Sequence, residues 1–406
     1  MRPGISRSTL REMRAPVLIS TLAAVAAIGG FFIGKHAATD AYVKKVAPIV
    51  ANEITLETVW DGVHRSLGDP VNAHALAAIY GIAPDDRARL DERLREIPWV
   101  PPYRPAPFVG HIGRAYDSAA LHVNADGLRD IERDYSVKAA GTVRIFITGG
   151  STAWGTGSAQ ADTIWVALER ILNDRIAPLT HLHYEVINAA FPAWSTTQEK
   201  IFIQQRLVDM HPDLILMFSG NNDVHWALHS SDIRWFFSYS DLNFVSLLNE
   251  LYLSSGHPEE RVAIPVTPAP VDCAQVSRSA ARNIAEAARS AAQVDSRLVF
   301  ALQPNLVSSM KRPSEREQRY LSQQSKPYWD ACYQAIRDET AKIDAPNFQA
   351  LDVSRLFGDY GADTELFIDT YHLAAKANLE VAQALASQLD WGTIKPAGAK
   401  PAGAGG

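Results

Sequence analysis

The sequence predicts an α/β fold, a three-layer sandwich in which helices cover both faces of a central parallel sheet. Two observations carry that expectation. Short, almost wholly apolar runs recur after residue 140, and segments of helical period separate them. A strand that is apolar on both sides belongs in a sheet covered on both faces, and parallel neighbours need a long crossover between them. The runs are VRIFIT at 143–148, YEVINA at 184–189, DLILMFS at 213–219, RLVFALQ at 297–303 and FQALDV at 348–353, so about five strands are expected. Between the first two, Ile164, Leu168, Ile171 and Leu172 recur at helical spacing, with Asp162 placed to cap that helix. Residues 274–293 and 327–343 read as two more covering helices.

The 406 residues are 47% hydrophobic and 21% charged, which suits one large core with a small appendage. A net charge of −6, with no segment that concentrates Lys and Arg, excludes a nucleic-acid partner.

The chain divides into five parts. Residues 1–14 are a basic N-terminus carrying Arg2, Arg7, Arg11 and Arg14. Residues 15–34 carry no charge and are long enough to cross a hydrocarbon layer of roughly 30 Å. The positive-inside bias then leaves the N-terminus cytoplasmic and everything after Lys35 on the far side, a single-pass protein of the inner membrane with a periplasmic domain. A cleaved signal peptide is the alternative, given the small residues around Ala37 to Ala41. Residues 35–110 read as a membrane-proximal stalk that ends in the strap IPWVPPYRPAPFVG, whose five prolines exclude helix. Residues 111–392 form the main domain, and 393–406 a low-complexity tail expected to be disordered. The two cysteines, Cys273 and Cys332, form either one disulfide beyond the membrane or two separate buried thiols.

Chemistry concentrates at FITGGSTAWGTG, residues 146–157. It is not a phosphate loop, because G-S-T-A-W-G-T from Gly150 lacks the lysine that reaches the phosphates. A dinucleotide fingerprint from Gly155 fails at Gln160. The nucleophile-elbow pattern G-x-S-x-G fits on one side, with Gly149 in place and Ala153 where the second glycine belongs. Ser151 nevertheless falls at the carboxyl end of the first core strand, where open parallel sheets bind ligands. A serine needs a base, and FIDTYHLAAKANLEVAQAL at 367–385 puts Asp369 three residues before His372 at the start of a helix-period segment. A carboxylate that orients a histidine, and a histidine that takes a serine proton, are the two partners a triad requires. The strand at 213–219 runs into S-G-N-N-D, so the amide of Asn222 sits in a loop at the same sheet edge. The stretch AAFPAWST at 189–196 adds backbone N–H groups there.

Taken together these stretches resemble the SGNH hydrolases, the GDSL-type esterases and lipases, over roughly residues 140–390. The family's G-D-S block appears as Gly149-Gly150-Ser151 with Gly for Asp, its G-x-N-D block as Gly220-Asn221-Asn222-Asp223, and its D-x-x-H block as Asp369 to His372. Its oxyanion-hole glycine aligns with Ala193 in N-A-A-F-P-A-W. The resemblance implies a flavodoxin-like SGNH hydrolase fold, with Ser151 as nucleophile, His372 as base and then acid, and Asp369 as orienter. The oxyanion would be held by Asn222 and the N–H groups of Ser151 and Ala193, with Gly150, Gly220 and Asp223 as the supporting loop. It implies neither a metal nor an organic cofactor. The substrate would be an ester, such as O-acyl groups on an envelope glycan or lipid. An O-acyltransferase and a non-catalytic binding or assembly protein of the same fold are the alternatives.

Four further features are weaker. His181 and His183 read as a surface pair, since no carboxylate or cysteine accompanies them. The aromatic stretch at 226–253 walls a site or is ordinary core helix. NADGLRD at 124–130 reads as a turn, with Arg129 its one candidate for a functional role, and His225 is close enough to Asn222 in sequence to contact substrate.

Overall fold

The computed structural model describes residues 82–83, 87–97, 103–228, 249, 252–253, 257–261 and 270–396. The expected membrane segment at 15–34, the basic residues before it, most of the stalk and residues 397–406 lie outside that set. Among the described residues, no helix is long and apolar enough to cross a membrane. The chain forms two compact units, one of residues 1–67 and 245–263 and one of 68–244 and 264–406. Of the first, the description reaches little beyond a 3₁₀ turn at Pro258–Glu260.

Among the described residues, the first elements of the second unit are helix α1 (Arg87–Glu96) and two antiparallel pairs: β1 (Tyr103–Ala106) with β2 (Gly110–Gly113), and β3 (Tyr116–Asp117) with β4 (His122–Val123). Residues 103–106 of the proline-rich strap are therefore the first arm of a hairpin. Pro105 faces His111 in it, an arrangement open to proline on an edge strand.

The core is one five-stranded sheet, β5 (Thr142–Gly149), β6 (His183–Asn188), β7 (Leu214–Ser219), β8 (Arg297–Leu302) and β9 (Phe348–Asp352), in the order β6-β5-β7-β8-β9. Every neighbouring pair is parallel. All residues of β5 and β7 are buried, which is why their sequences show no polar alternation. Arg144 is the one charge inside β5. Its guanidinium is held at the amino end of the sheet by Glu185 at 2.9 Å and by the carbonyls of Tyr135, Val137 and Met210.

Helices α3 (Ile164–Ile171) and α10 (Ala375–Gln388) pack together, and α7 (Cys273–Ala292) packs on α5 (Thr196–Gln205) and α9 (Lys326–Thr340), giving the two covering layers. Asp162 does not cap α3: Thr163 holds the cap position, and Asp162 lies in the preceding 3₁₀ turn, where its carbonyl accepts from Asn378 Nδ2 at 2.9 Å. Cys273 and Cys332 are disulfide-bonded, stapling the start of α7 to α9 across a Cα–Cα distance of 4.6 Å. Ile394 is buried after a last 3₁₀ turn at Trp391–Thr393, so the packed chain continues past 392.

Between β5 and β7 the strand order reverses. Chains leaving the two strands part toward opposite faces there, and the crevice between them is where this topology binds ligands.

Candidate active site

Two strand ends meet at that crevice. β5 runs through Gly149 and Gly150 into a short helix, α2 (Ser151–Trp154), and β7 runs through Gly220 into α6 (Asn221–Leu228). The first glycine is dictated by closeness: a Cβ on Gly149 would come within 2.3 Å of the Phe218 carbonyl oxygen and 2.5 Å of the Ala153 Cβ. At Gly150 the obstacle is the site itself, because a Cβ would stand 2.3 Å from Asn222 Nδ2 and 3.2 Å from the Trp194 carbonyl oxygen. Glycine at position 150 therefore leaves the Asn222 amide the space that a Cβ would take.

Ser151 Oγ is 2.8 Å from His372 Nε2, and His372 Nδ1 is 2.7 Å from Asp369 Oδ2. The second carboxylate oxygen, Asp369 Oδ1, accepts the backbone N–H groups of Tyr371 at 2.8 Å and His372 at 2.9 Å. Burial pushes the Asp369 carboxyl up, but the adjoining imidazole and these hydrogen bonds more than offset that and leave it below the ordinary aspartate range. The carboxylate thus stays ionised and fixes the ring, leaving Nε2 to face the serine. Asp369 and His372 lie in a turn ahead of α10, not in its first residues. The turn is closed by the Ile368 N–H donating to the His372 carbonyl at 2.8 Å and by a bridge between Phe367 and Leu373.

Side chains from elsewhere hold that turn. Thr152, next to the serine, donates to the Tyr371 carbonyl at 3.1 Å and accepts from Gln303 at 3.0 Å. Arg316, on α8 (Glu315–Leu321), donates to the carbonyls of Ile368 at 2.7 Å and Phe367 at 2.6 Å, and its Nε reaches Glu365 at 3.0 Å. α8 is itself fixed by a wholly buried Lys311–Glu317 pair at 2.6 Å, and Glu317 also accepts the Leu366 N–H at 3.3 Å. Nothing in the sequence pattern marks Arg316 for this place.

Asn222 sits in the first turn of α6 rather than in a loop, and its Nδ2 donates to the Trp194 carbonyl at 2.6 Å. An amide nitrogen carries two hydrogens, so one remains beside Gly150. Asp223 is buried and anchors α6 to the start of α5, accepting from the Thr196 hydroxyl at 2.5 Å and the Thr196 N–H at 3.2 Å; burial raises its pKa to about 6. Glu199, one turn into α5, spans the reversal point. It accepts from Thr148 at the end of β5 at 2.8 Å and from Ser219 at the end of β7 at 2.5 Å, and burial raises its pKa to about 7.

Ala193 adopts φ +68°, a left-handed conformation that glycine takes without strain. Among the described residues its N–H meets no acceptor.

The remaining candidates fall around this centre. His225 Nδ1 lies 3.2 Å from the Tyr371 hydroxyl, beside the Asp369–His372 turn. Arg129 is buried and donates to the carbonyls of Trp154, Gly155 and Ser158, which fixes the loop leaving the nucleophile helix. His181 and His183 are exposed and far along the chain at the amino end of β6. The aromatic stretch at 226–253 lies mostly outside the described residues.

The class of site is thus a Ser–His–Asp hydrogen-bonded chain at the reversal point of a parallel α/β sheet. No family model matches the chain, and no curated protein matches its sequence. Among solved structures, it is similar to an acetyl xylan esterase, AlAXEase (13% identity, TM-score 0.38, covering 61% of this chain and all 100% of that one). It is also similar to a lipase/acylhydrolase from Enterococcus faecalis (13% identity, TM-score 0.36, 63% and 98%) and to TesA (14% identity, TM-score 0.35, 60% and 98%).

Proposed function

We propose that the protein is a serine esterase acting through an acyl-serine intermediate. The observation that carries the reading is the unbroken chain from Ser151 Oγ to His372 Nε2 at 2.8 Å and from His372 Nδ1 to Asp369 at 2.7 Å. In this mechanism His372 takes the serine proton as Oγ attacks the ester carbonyl. The carbonyl oxygen becomes an oxyanion facing the N–H groups of Ser151 and Ala193 and the free Asn222 hydrogen. His372 then returns the proton to the departing alcohol, and water attacks the acyl group by the same route in reverse. A purely binding use of the fold gives no reason for the His372 ring to face Ser151, so the contact supports catalysis.

The expected setting is the far side of the membrane, with O-acyl groups of an envelope glycan or lipid as substrate. The uncharged run at 15–34 with arginines before it supports this placement, as does the Cys273–Cys332 disulfide, a bond that persists in oxidising compartments.

Release of p-nitrophenol from p-nitrophenyl acetate by the purified full-length protein, beside Ser151→Ala, tests the reading. Turnover that vanishes in the variant is expected. Equal background from two folded proteins would refute ester hydrolysis and turn attention to acyl transfer from another donor or to a binding role.

A further inference from the structure

We infer that His111, in the N-terminal hairpin and outside the central sheet, is a positioning residue of the oxyanion pocket; the inference rests on the serine-esterase reading above. The loop after β6 carries three consecutive carbonyls, and each is taken by a side-chain donor. His111 Nε2 meets the Pro192 oxygen at 2.9 Å, Trp226 Nε1 the Ala193 oxygen at 3.0 Å, and Asn222 Nδ2 the Trp194 oxygen at 2.6 Å. The described chain has no cis peptide bond, and in a trans peptide the C=O and N–H point in opposite directions. The Pro192 carbonyl and the Ala193 N–H share one peptide plane. A donor that pulls the carbonyl toward His111 therefore turns the Ala193 N–H the other way, where no described group accepts it.

The loop stands beside the nucleophile. The Phe191 N–H pairs with the Gly149 carbonyl at 3.0 Å, and the Trp194 oxygen lies 3.2 Å from where a Gly150 Cβ would be. The imidazole suits the task. His111 is 4% exposed, with its ring against Tyr103 at 4.9 Å and edge-on to Trp194 at 6.3 Å. Burial lowers its pKa to about 4, against the opposing pull of the Pro192 hydrogen bond, so the ring is neutral and Nε2 carries its single proton. Ala193 in its left-handed conformation gives the loop a reason to relax if a tie is cut, since that backbone is strained for a residue with a Cβ.

A fluorophosphonate probe reads this pocket without any assumption about the natural acyl group. Ser151 Oγ bonds to phosphorus, the P–F bond breaks, fluoride leaves and the serine proton passes to His372, while the phosphoryl oxygen occupies the oxyanion position. The full-length protein and its His111→Phe and His111→Gln variants are labelled over a range of probe concentrations. The expected result for His111→Phe is a limiting labelling rate lower by about 10- to 100-fold with the probe's half-saturating concentration unchanged. His111→Gln, whose amide keeps a donor at similar reach, recovers most of the rate. Should His111→Phe not fold, His111→Asn, polar but too short to reach the carbonyl, takes its place with the same expected loss. A folded His111→Phe or His111→Asn labelled as fast as the wild type overturns the proposal, as does a His111→Gln variant as slow as either. A wild type that is not labelled at Ser151 sinks the esterase reading itself, and the role of His111 with it.

Discussion

The two halves of the site are held by opposite means. Ser151 and Asn222 stand at the ends of β5 and β7, strands wholly buried in the sheet, and their placement is steric: Gly149 and Gly150 leave no room for a side chain, and Glu199 bridges both strand ends through two hydroxyls. Asp369 and His372 come after the last strand on a turn outside the sheet. That turn is held by charge, through Arg316 on two of its carbonyls and on Glu365, and through the buried Lys311–Glu317 pair behind it. A rigid half positions the nucleophile and the anion donors, and a charge-clamped half delivers the base. The serine side is therefore vulnerable to added volume, and the histidine side to lost charge or lost hydrogen bonds.

The largest effects expected are on the mobile proton. His372→Ala should lower ester kcat by about 10⁴-fold or more, and Asp369→Asn by about 10⁴-fold, because the amide no longer enforces the tautomer that faces Ser151. Steady-state kinetics on one p-nitrophenyl ester reads both. On the steric half, Gly150→Ala should cost about 100-fold in kcat by displacing the Asn222 amide, while Tm moves little, since the backbone at Gly150 (φ −88°, ψ −155°) is open to alanine. A Gly150→Ala enzyme of full activity would show that the amide is not needed where it stands. On the charged half, Arg316→Lys should not rescue what Arg316→Met loses, because a lysine cannot reproduce a fork that meets two successive carbonyls and a carboxylate. About a tenfold loss of kcat in each is expected.

pH separates the halves by sign. Glu199 is raised from 4.5 to about 7 and Asp223 from 3.8 to about 6. The folded chain therefore keeps protons that the unfolded chain has released, and the stability they lend declines as pH rises through that window. Asp369 is lowered, so its contribution is present above the ordinary aspartate pKa and is lost as pH falls. Glu199→Gln should accordingly flatten the loss of Tm between about pH 5 and pH 8, at most about 3 kcal/mol in stability. An unchanged Tm profile would mean that Glu199 is already ionised in the fold. The smallest effect is expected at Ala193→Gly. Relief of the left-handed backbone and the greater entropy of an unfolded glycine nearly cancel, leaving a change within about 1 kcal/mol by denaturant titration.

The difference between the halves also decides what could be read without the structure. The five strands sit within a residue of their apolar runs, because burial on both faces leaves nothing polar to blur them; Arg144 hides in one such run because two of its partners, Glu185 and Met210, lie 41 and 66 residues away. Ser151, Asn222, Asp369 and His372 stand out as residue types at strand ends or at a characteristic spacing. Their supports do not. His111 meets Pro192 across 81 residues, and Arg316 meets Ile368 across 52, contacts that exist only after folding. Ser314 and Glu317 form a capping box that marks the start of α8, yet no spacing rule says where the arginine between them points. The hairpin of β1 and β2 was obscured by its prolines, which rule out helix without saying what is built instead.

The central claim is that Ser151 becomes acylated through His372, and the most direct measurement is a rapid-mix reaction of the full-length protein with p-nitrophenyl acetate, quenched in acid and peptide-mapped by mass. The account predicts an acetyl group on the peptide at Ser151 within the first turnover, its formation lost in His372→Ala. Turnover with Ser151 unmodified, or an adduct that forms equally well without His372, would contradict it.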